Sequence, residues 1–131
     1  MVRKVIVADD NPGVRRLVSS LLLECTPDVS ITEVRDGTGI VEKLKSKNGD
    51  DYALVITDIQ MVKMSGLEAL LRVRELNRTT PIAIYSWMDK GENLSQYEPF
   101  THEDSSKYQP FTLMRNPTAR EIRNVAKKYL G

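Results

Sequence analysis

Val5-Ile6-Val7-Ala8 is an unbroken apolar run that stops abruptly at the acidic pair Asp9-Asp10. A strand with one wet face alternates apolar and polar residues, so an unbroken, largely β-branched run fits a strand covered on both faces. The pattern recurs along the chain. Val29–Val34 is β-rich and closed by Asp36-Gly37, Tyr52–Thr57 ends at Asp58, and Ile82–Tyr85 ends at Ser86. Amphipathic stretches separate these runs, and strands that alternate with helices build a parallel sheet with right-handed crossovers.

The helices announce themselves by period and punctuation. Asn11-Pro12 offers an N-cap and a proline at the first helical position, followed by Val14, Leu17, Val18, Leu21 and Leu22 on one stripe that ends near Pro27. A short helix carrying Ile40, Val41 and Leu44 is stopped by Asn48-Gly49, and another opens at Gly66 with Leu67, Leu70 and Leu71. Thr79-Thr80-Pro81 breaks the chain before the fourth strand. From Trp87 to Pro110 no helical period is sustained, and a short helix around Glu92–Tyr97 is the one element suggested there. Phe111–Met114 then supplies a fifth apolar run. Thr118-x-x-Glu121 is a capping box, and the helix it opens carries Ile122, Val125, Ala126, Tyr129 and Leu130 on one stripe.

At 131 residues, with 40% hydrophobic and 28% charged residues, the chain has the size and composition of one globular domain, expected to span 1–131. Its apolar runs are far shorter than the ~20 residues that span a bilayer. The start lacks the features of a secretory signal, so a cytoplasmic protein with no membrane partner is expected. A net charge of +1 gives no electrostatic footprint for direct nucleic-acid binding. Cys25 is the single cysteine and His102 the single histidine, which excludes an internal disulfide and a thiolate or imidazole metal site.

The chemistry should lie where strands end. Parallel sheets bind ligands beyond the carboxyl ends of their strands, and a strand order of 2-1-3-4-5 would bring Asp9, Asp10, Asp58 and Ser86 into one crevice. Three neighbouring carboxylates repel, and either raised pKa values or a bound cation must relieve the repulsion, a hard divalent ion fitting best. An all-oxygen donor set favours Mg²⁺. Asp58 ends the most apolar strand and is placed as a carboxylate nucleophile toward phosphorus, Asp9 and Asp10 as holders of the ion, the Gln60 backbone carbonyl as a further ligand, and Ser86 as a hydroxyl donor to the phosphoryl group. The plainer reading makes Asp10 the N-cap of the first helix and the methionines Met61, Met64 and Met88 packing residues.

The segments Val7–Asn11, Ile56–Glu68 and Ile84–Ser86, with their acidic pair, aspartate-x-x-methionine loop and strand-end hydroxyl in that order, resemble two-component response-regulator receiver domains. The resemblance covers essentially the whole chain. It implies a flavodoxin-like doubly wound α/β fold whose five-stranded parallel sheet has the order 2-1-3-4-5. It also implies Asp58 as phospho-acceptor, a Mg²⁺ site formed by Asp9, Asp10, Asp58 and the Gln60 carbonyl, and Ser86 as the switch hydroxyl. The implied partners are a histidine kinase or phosphotransfer protein and a separate downstream output protein. Such a chain catalyses only its own phosphorylation and dephosphorylation.

Three departures stand out. Val62 and Ser65 occupy loop positions where the family usually has proline and aspartate, and the segment between strands four and five is atypical. The lysine-proline expected after the fifth strand is absent. Either Gln109-Pro110 or Asn116-Pro117 aligns there, and the apolar strand Phe111–Met114 favours Asn116-Pro117, with Arg115 or Lys107 as the substitute cation. A degenerate receiver acting as a phosphorylation-independent interaction module is therefore the alternative function. A phosphatase with an aspartyl nucleophile ranks last, because its acid/base aspartate would stand where this chain has Gln60.

Overall fold

The computed structural model describes residues 2–87 and 108–131. The suggested helix around 92–97, His102, Met88 and Lys107 lie outside the described residues. Five strands, β1 (Lys4–Ala8), β2 (Ser30–Val34), β3 (Tyr52–Asp58), β4 (Ile82–Ser86) and β5 (Phe111–Arg115), alternate with α1 (Pro12–Cys25), α2 (Gly37–Lys45), α3 (Gly66–Glu75) and α4 (Ala119–Leu130). The sheet is parallel throughout, in the order β2-β1-β3-β4-β5. The chain thus has the α/β fold and the strand order expected of it.

The unbroken apolar runs are explained by two cores. On one face Val5, Val7, Leu54, Ile56, Ala83 and Tyr85 pack under α1 and α4, through Val18, Leu22, Ile122 and Leu130 among others. On the other, Ile6, Ala8, Val55, Ile82 and Ile84 pack under α2 and α3, through Ile40, Leu44, Leu70 and Val73. Successive side chains of β1, β3 and β4 therefore enter opposite cores, which is why these strands show no polar alternation. β2 and β5 are the edges and are only partly buried. In β5 only Met114 is buried, so its apolar run reflects a covered edge rather than a central strand.

Local signals set the helix boundaries. The Asn11 side chain caps α1, accepting from the amides of Gly13 and Val14, with Pro12 at the first position. Asp36 caps α2, Ser65 caps α3, and Thr118 with Glu121 forms the complete capping box of α4. α2 ends at Lys45, with Ser46 already extended, two residues before the expected Asn48-Gly49 stop, and the chain then makes a short 3₁₀ turn over Gly49–Asp51, an element its sequence did not suggest.

Arg74 ties down the start of β5. Its guanidinium, half-buried at the end of α3, donates to the carbonyls of Tyr108 at 2.8 Å, Pro110 at 2.8 Å, Arg78 at 2.9 Å and Thr80 at 3.0 Å. No carboxylate takes part in these contacts; the cation is satisfied by carbonyl dipoles of α3's exit and of the chain entering β5. No helix among the described residues is long and apolar enough to cross a membrane.

Candidate acidic site at the carboxyl end of the sheet

β1 and β3 lie side by side in register, Ala8 opposite Thr57, so the residues that follow leave the sheet together. Asp9 is fully buried and held at every polar group. Its amide donates to the Val34 carbonyl at 3.2 Å, and its carbonyl accepts from Arg15 Nη1 at 2.6 Å. Oδ1 accepts from the Asn11 amide at 2.8 Å and Oδ2 from the Tyr85 hydroxyl at 2.5 Å. Arg15 is fixed in turn by Glu33 at 3.2 Å. Burial, with Asp9 alongside, drives the Tyr85 phenol far above its ordinary pKa, so it stays a neutral donor.

Asp10 is exposed, and the cap of α1 is Asn11, which removes the plainer reading of Asp10. Asp58, fully buried, ends β3. The next amide, Ile59, donates to the Tyr85 carbonyl at 2.8 Å, and the loop folds back so that the Gly66 amide donates to the Ile59 carbonyl at 2.9 Å. Gly66 is demanded by that closure, since a Cβ there would lie 2.3 Å from the Asp58 carbonyl oxygen. Lys63, within the same loop, takes the left-handed backbone at φ 64°.

One carboxylate oxygen from each of Asp9, Asp10 and Asp58 lies within 4.8 Å of the others. At that separation each pair repels by roughly 3–4 kcal/mol for an effective dielectric near 20. An all-oxygen cluster without thiol or imidazole fits a hard divalent cation such as Mg²⁺. Gln60, Met61 and Val62 with Asp10 line an adjoining cavity of about 340 Å³, with Val62 largely exposed. Met61 is a packing residue, buried with its sulfur 3.8 Å from the Thr57 hydroxyl.

Ser86 ends β4, fully buried, next to Tyr85, which pairs with Asp58 across β3 and β4. Its carbonyl accepts from the Asn116 amide at 2.7 Å. β5 ends at Arg115, so the proline pair that follows the fifth strand is Asn116-Pro117, while Gln109-Pro110 precedes it. Asn116 has φ 45°, a left-handed conformation that asparagine tolerates better than most residues. Arg115 is exposed in register beside Ser86, and Lys107 lies outside the described residues.

The model of the response regulator receiver domain family matches residues 5–98, which carry the whole acidic cluster and Ser86. The chain belongs to that family. Among relatives of the receiver, a protein-glutamate methylesterase/protein-glutamine glutaminase from a Nocardioides species is 32% identical over 84 residues, covering 63% of this chain and 22% of its own length. The hybrid signal transduction histidine kinase L of Dictyostelium discoideum is 28% identical over 136 residues, covering 98% of this chain and 7% of its own. The receiver therefore spans only a small part of these relatives. A CheY-like receiver domain protein from Methanospirillum hungatei superposes with a TM-score of 0.77 at 14% identity, over 99% of this chain and 94% of that one, a likeness of fold.

Sequence reasoning located all of the strand-end residues and missed what holds them. Tyr85 figures in the sequence only as the last residue of the fourth apolar run, yet its hydroxyl binds Asp9. The available signal was that a tyrosine inside an otherwise apolar buried strand needs a partner for its hydroxyl, and the acidic strand ends are nearest. Arg15, polar on the partly buried side of α1, carried a similar but weaker signal.

Proposed function

We propose that the chain, as a single receiver domain over 1–131, is a phosphorylatable signalling switch with Asp58 as the acceptor. The observation that carries this reading is the convergence of Asp9, Asp10 and Asp58 within 4.8 Å at the ends of β1 and β3. A carboxylate oxygen of Asp58 attacks the phosphorus of a phosphohistidine on a histidine kinase or phosphotransfer protein. An O–P bond forms, the N–P bond breaks, and the leaving imidazole keeps the electron pair and takes up a proton from solvent. Asp9, Asp10, Asp58 and the Gln60 carbonyl would hold Mg²⁺, whose charge offsets that of the transferring phosphoryl oxygens. Ser86 donates its hydroxyl to the phosphoryl group and moves toward it, which shifts a pre-existing equilibrium between two surfaces read by a separate output protein. The chain catalyses no reaction other than its own phosphorylation and dephosphorylation, and works in the cytoplasm, without direct contact to nucleic acid or membrane.

Two observations favour a second reading, a degenerate receiver that binds partners without phosphorylation. Asp58 is 0% exposed, and Asn116 stands where the family carries lysine. Beryllium fluoride, a phosphoryl mimic, separates the two in the presence of Mg²⁺. A protein-bound ¹⁹F resonance, absent in Asp58→Asn, is expected of the switch; no bound resonance at saturating reagent would leave the interaction module.

A further inference from the structure

The Tyr85 hydroxyl reaches from β4 across β3 to Asp9, the residue that follows β1, passing over the strand that ends in Asp58. Its phenol is fully buried, and its ring packs against Trp87 at a centroid separation of 5.6 Å. The alternation of β4 sends Tyr85 into the α1/α4 core with Ala83, while the backbone of Tyr85 accepts the amide that follows Asp58. A single residue thus binds the side chain of one acidic strand end and the amide of the residue that follows the other. Phenylalanine would fill the same core space, so packing alone does not call for the hydroxyl.

An Asp9 carboxylate bound only through its main chain could rotate about χ1 and χ2. With the Asn11 amide on Oδ1 and the Tyr85 hydroxyl on Oδ2, the plane of the carboxylate is fixed and the remaining lone pairs point in set directions. Groups that orient a ligand in this way commonly change metal affinity by 10–100-fold when removed. We propose that Tyr85 is a positioning residue, whose hydroxyl orients the Asp9 carboxylate for a divalent cation at the acidic cluster. This rests on the metal site proposed above. Fixing the ligand before the ion arrives removes part of the ordering cost of binding, so the bond tightens the site without touching the ion.

The test is a Mg²⁺ titration of the full chain followed by amide NMR shifts at Asp10 and Ile59, in wild type, Tyr85→Phe and Tyr129→Phe. Tyr129 is the control because its hydroxyl bonds Thr112, away from the cluster. Expected are a Kd on the order of tenfold weaker in Tyr85→Phe and within twofold of wild type in Tyr129→Phe. A Tyr85→Phe Kd within twofold of wild type overturns the proposal and leaves the metal site standing, as does equal weakening in both variants. Absence of any Mg²⁺-dependent shift in wild type overturns the proposal and the metal site together. Wild type supplies a second readout that does not depend on the variant folding. The buried Tyr85 hydroxyl proton, slow to exchange, should give a downfield resonance that moves on Mg²⁺ addition, and a resonance that stays fixed through saturation overturns the proposal.

Discussion

Gly66 sits so close beneath Asp58 that a Cβ added to it would lie 2.3 Å from the Asp58 carbonyl oxygen and 3.0 Å from Thr57 Cγ2. The first of those contacts is to backbone at the buried end of β3, so it cannot be relieved by turning a side chain. The loop after Asp58 is thereby pinned at both ends, by the Ile59 amide on the Tyr85 carbonyl of β4 and by Gly66 against β3.

Gly66→Ala should consequently destabilise the fold by about 1–3 kcal/mol, the usual range for overpacking a closed site. Urea denaturation checks this through a lowered midpoint at unchanged slope. An unchanged midpoint would mean that the loop can move away without cost.

Mg²⁺ should stabilise the folded chain by mass action. At about 100 times Kd, binding to the folded state alone contributes about 2.7 kcal/mol, which raises Tm by several degrees. The double variant Asp9→Ala with Asp10→Ala should show no such rise in differential scanning calorimetry, whatever its Tm without the ion. An equal rise in both proteins would place the ion elsewhere.

Arg74→Ala should cost about 2–4 kcal/mol, since it strips a shared donor from four carbonyls, two at the exit of α3 and two at the entry to β5. Arg74→Lys should recover only part of this, because an ammonium cannot reproduce the fork of a guanidinium. Hydrogen exchange offers a local readout, with protection falling first at the β5 amides. Uniform loss across the sheet would contradict the clamp.

Most of the fold was legible because each element carries its own signal at short range. The runs ending at Asp9 and Asp58 mark central strands, and Asn11-Pro12 and Thr118-x-x-Glu121 mark helix starts. The meeting of Asp9, Asp10 and Asp58 followed from topology, since helices between parallel strands leave few strand orders. What escaped depends on side chains that cross elements. Tyr85 meets Asp9 across 76 positions of sequence, and Arg74 meets Pro110 across 36. The tyrosine's place in an apolar strand signals that its hydroxyl needs a partner, but not which one, and nothing local to Arg74 announces its partners. The 3₁₀ turn at Gly49–Asp51 escaped for the opposite reason, being too short to show a period.

If the proposed switch holds, Ser86→Ala should still accept a phosphoryl group on Asp58 but lose the change in partner affinity that follows, since in that proposal the hydroxyl is the group that responds. Calorimetric titration of the phosphorylated and unmodified variant with the output protein measures this. A full affinity change in Ser86→Ala would remove Ser86 from the switch.

The most direct measurement is intact mass by rapid quench after mixing the chain with a small acyl-phosphate donor and Mg²⁺, alongside Asp58→Asn. A phosphorylatable receiver gains the mass of one phosphoryl group, and the gain disappears in Asp58→Asn and without Mg²⁺. No gain at the shortest quench times, or an equal gain in Asp58→Asn, would contradict Asp58 as the acceptor.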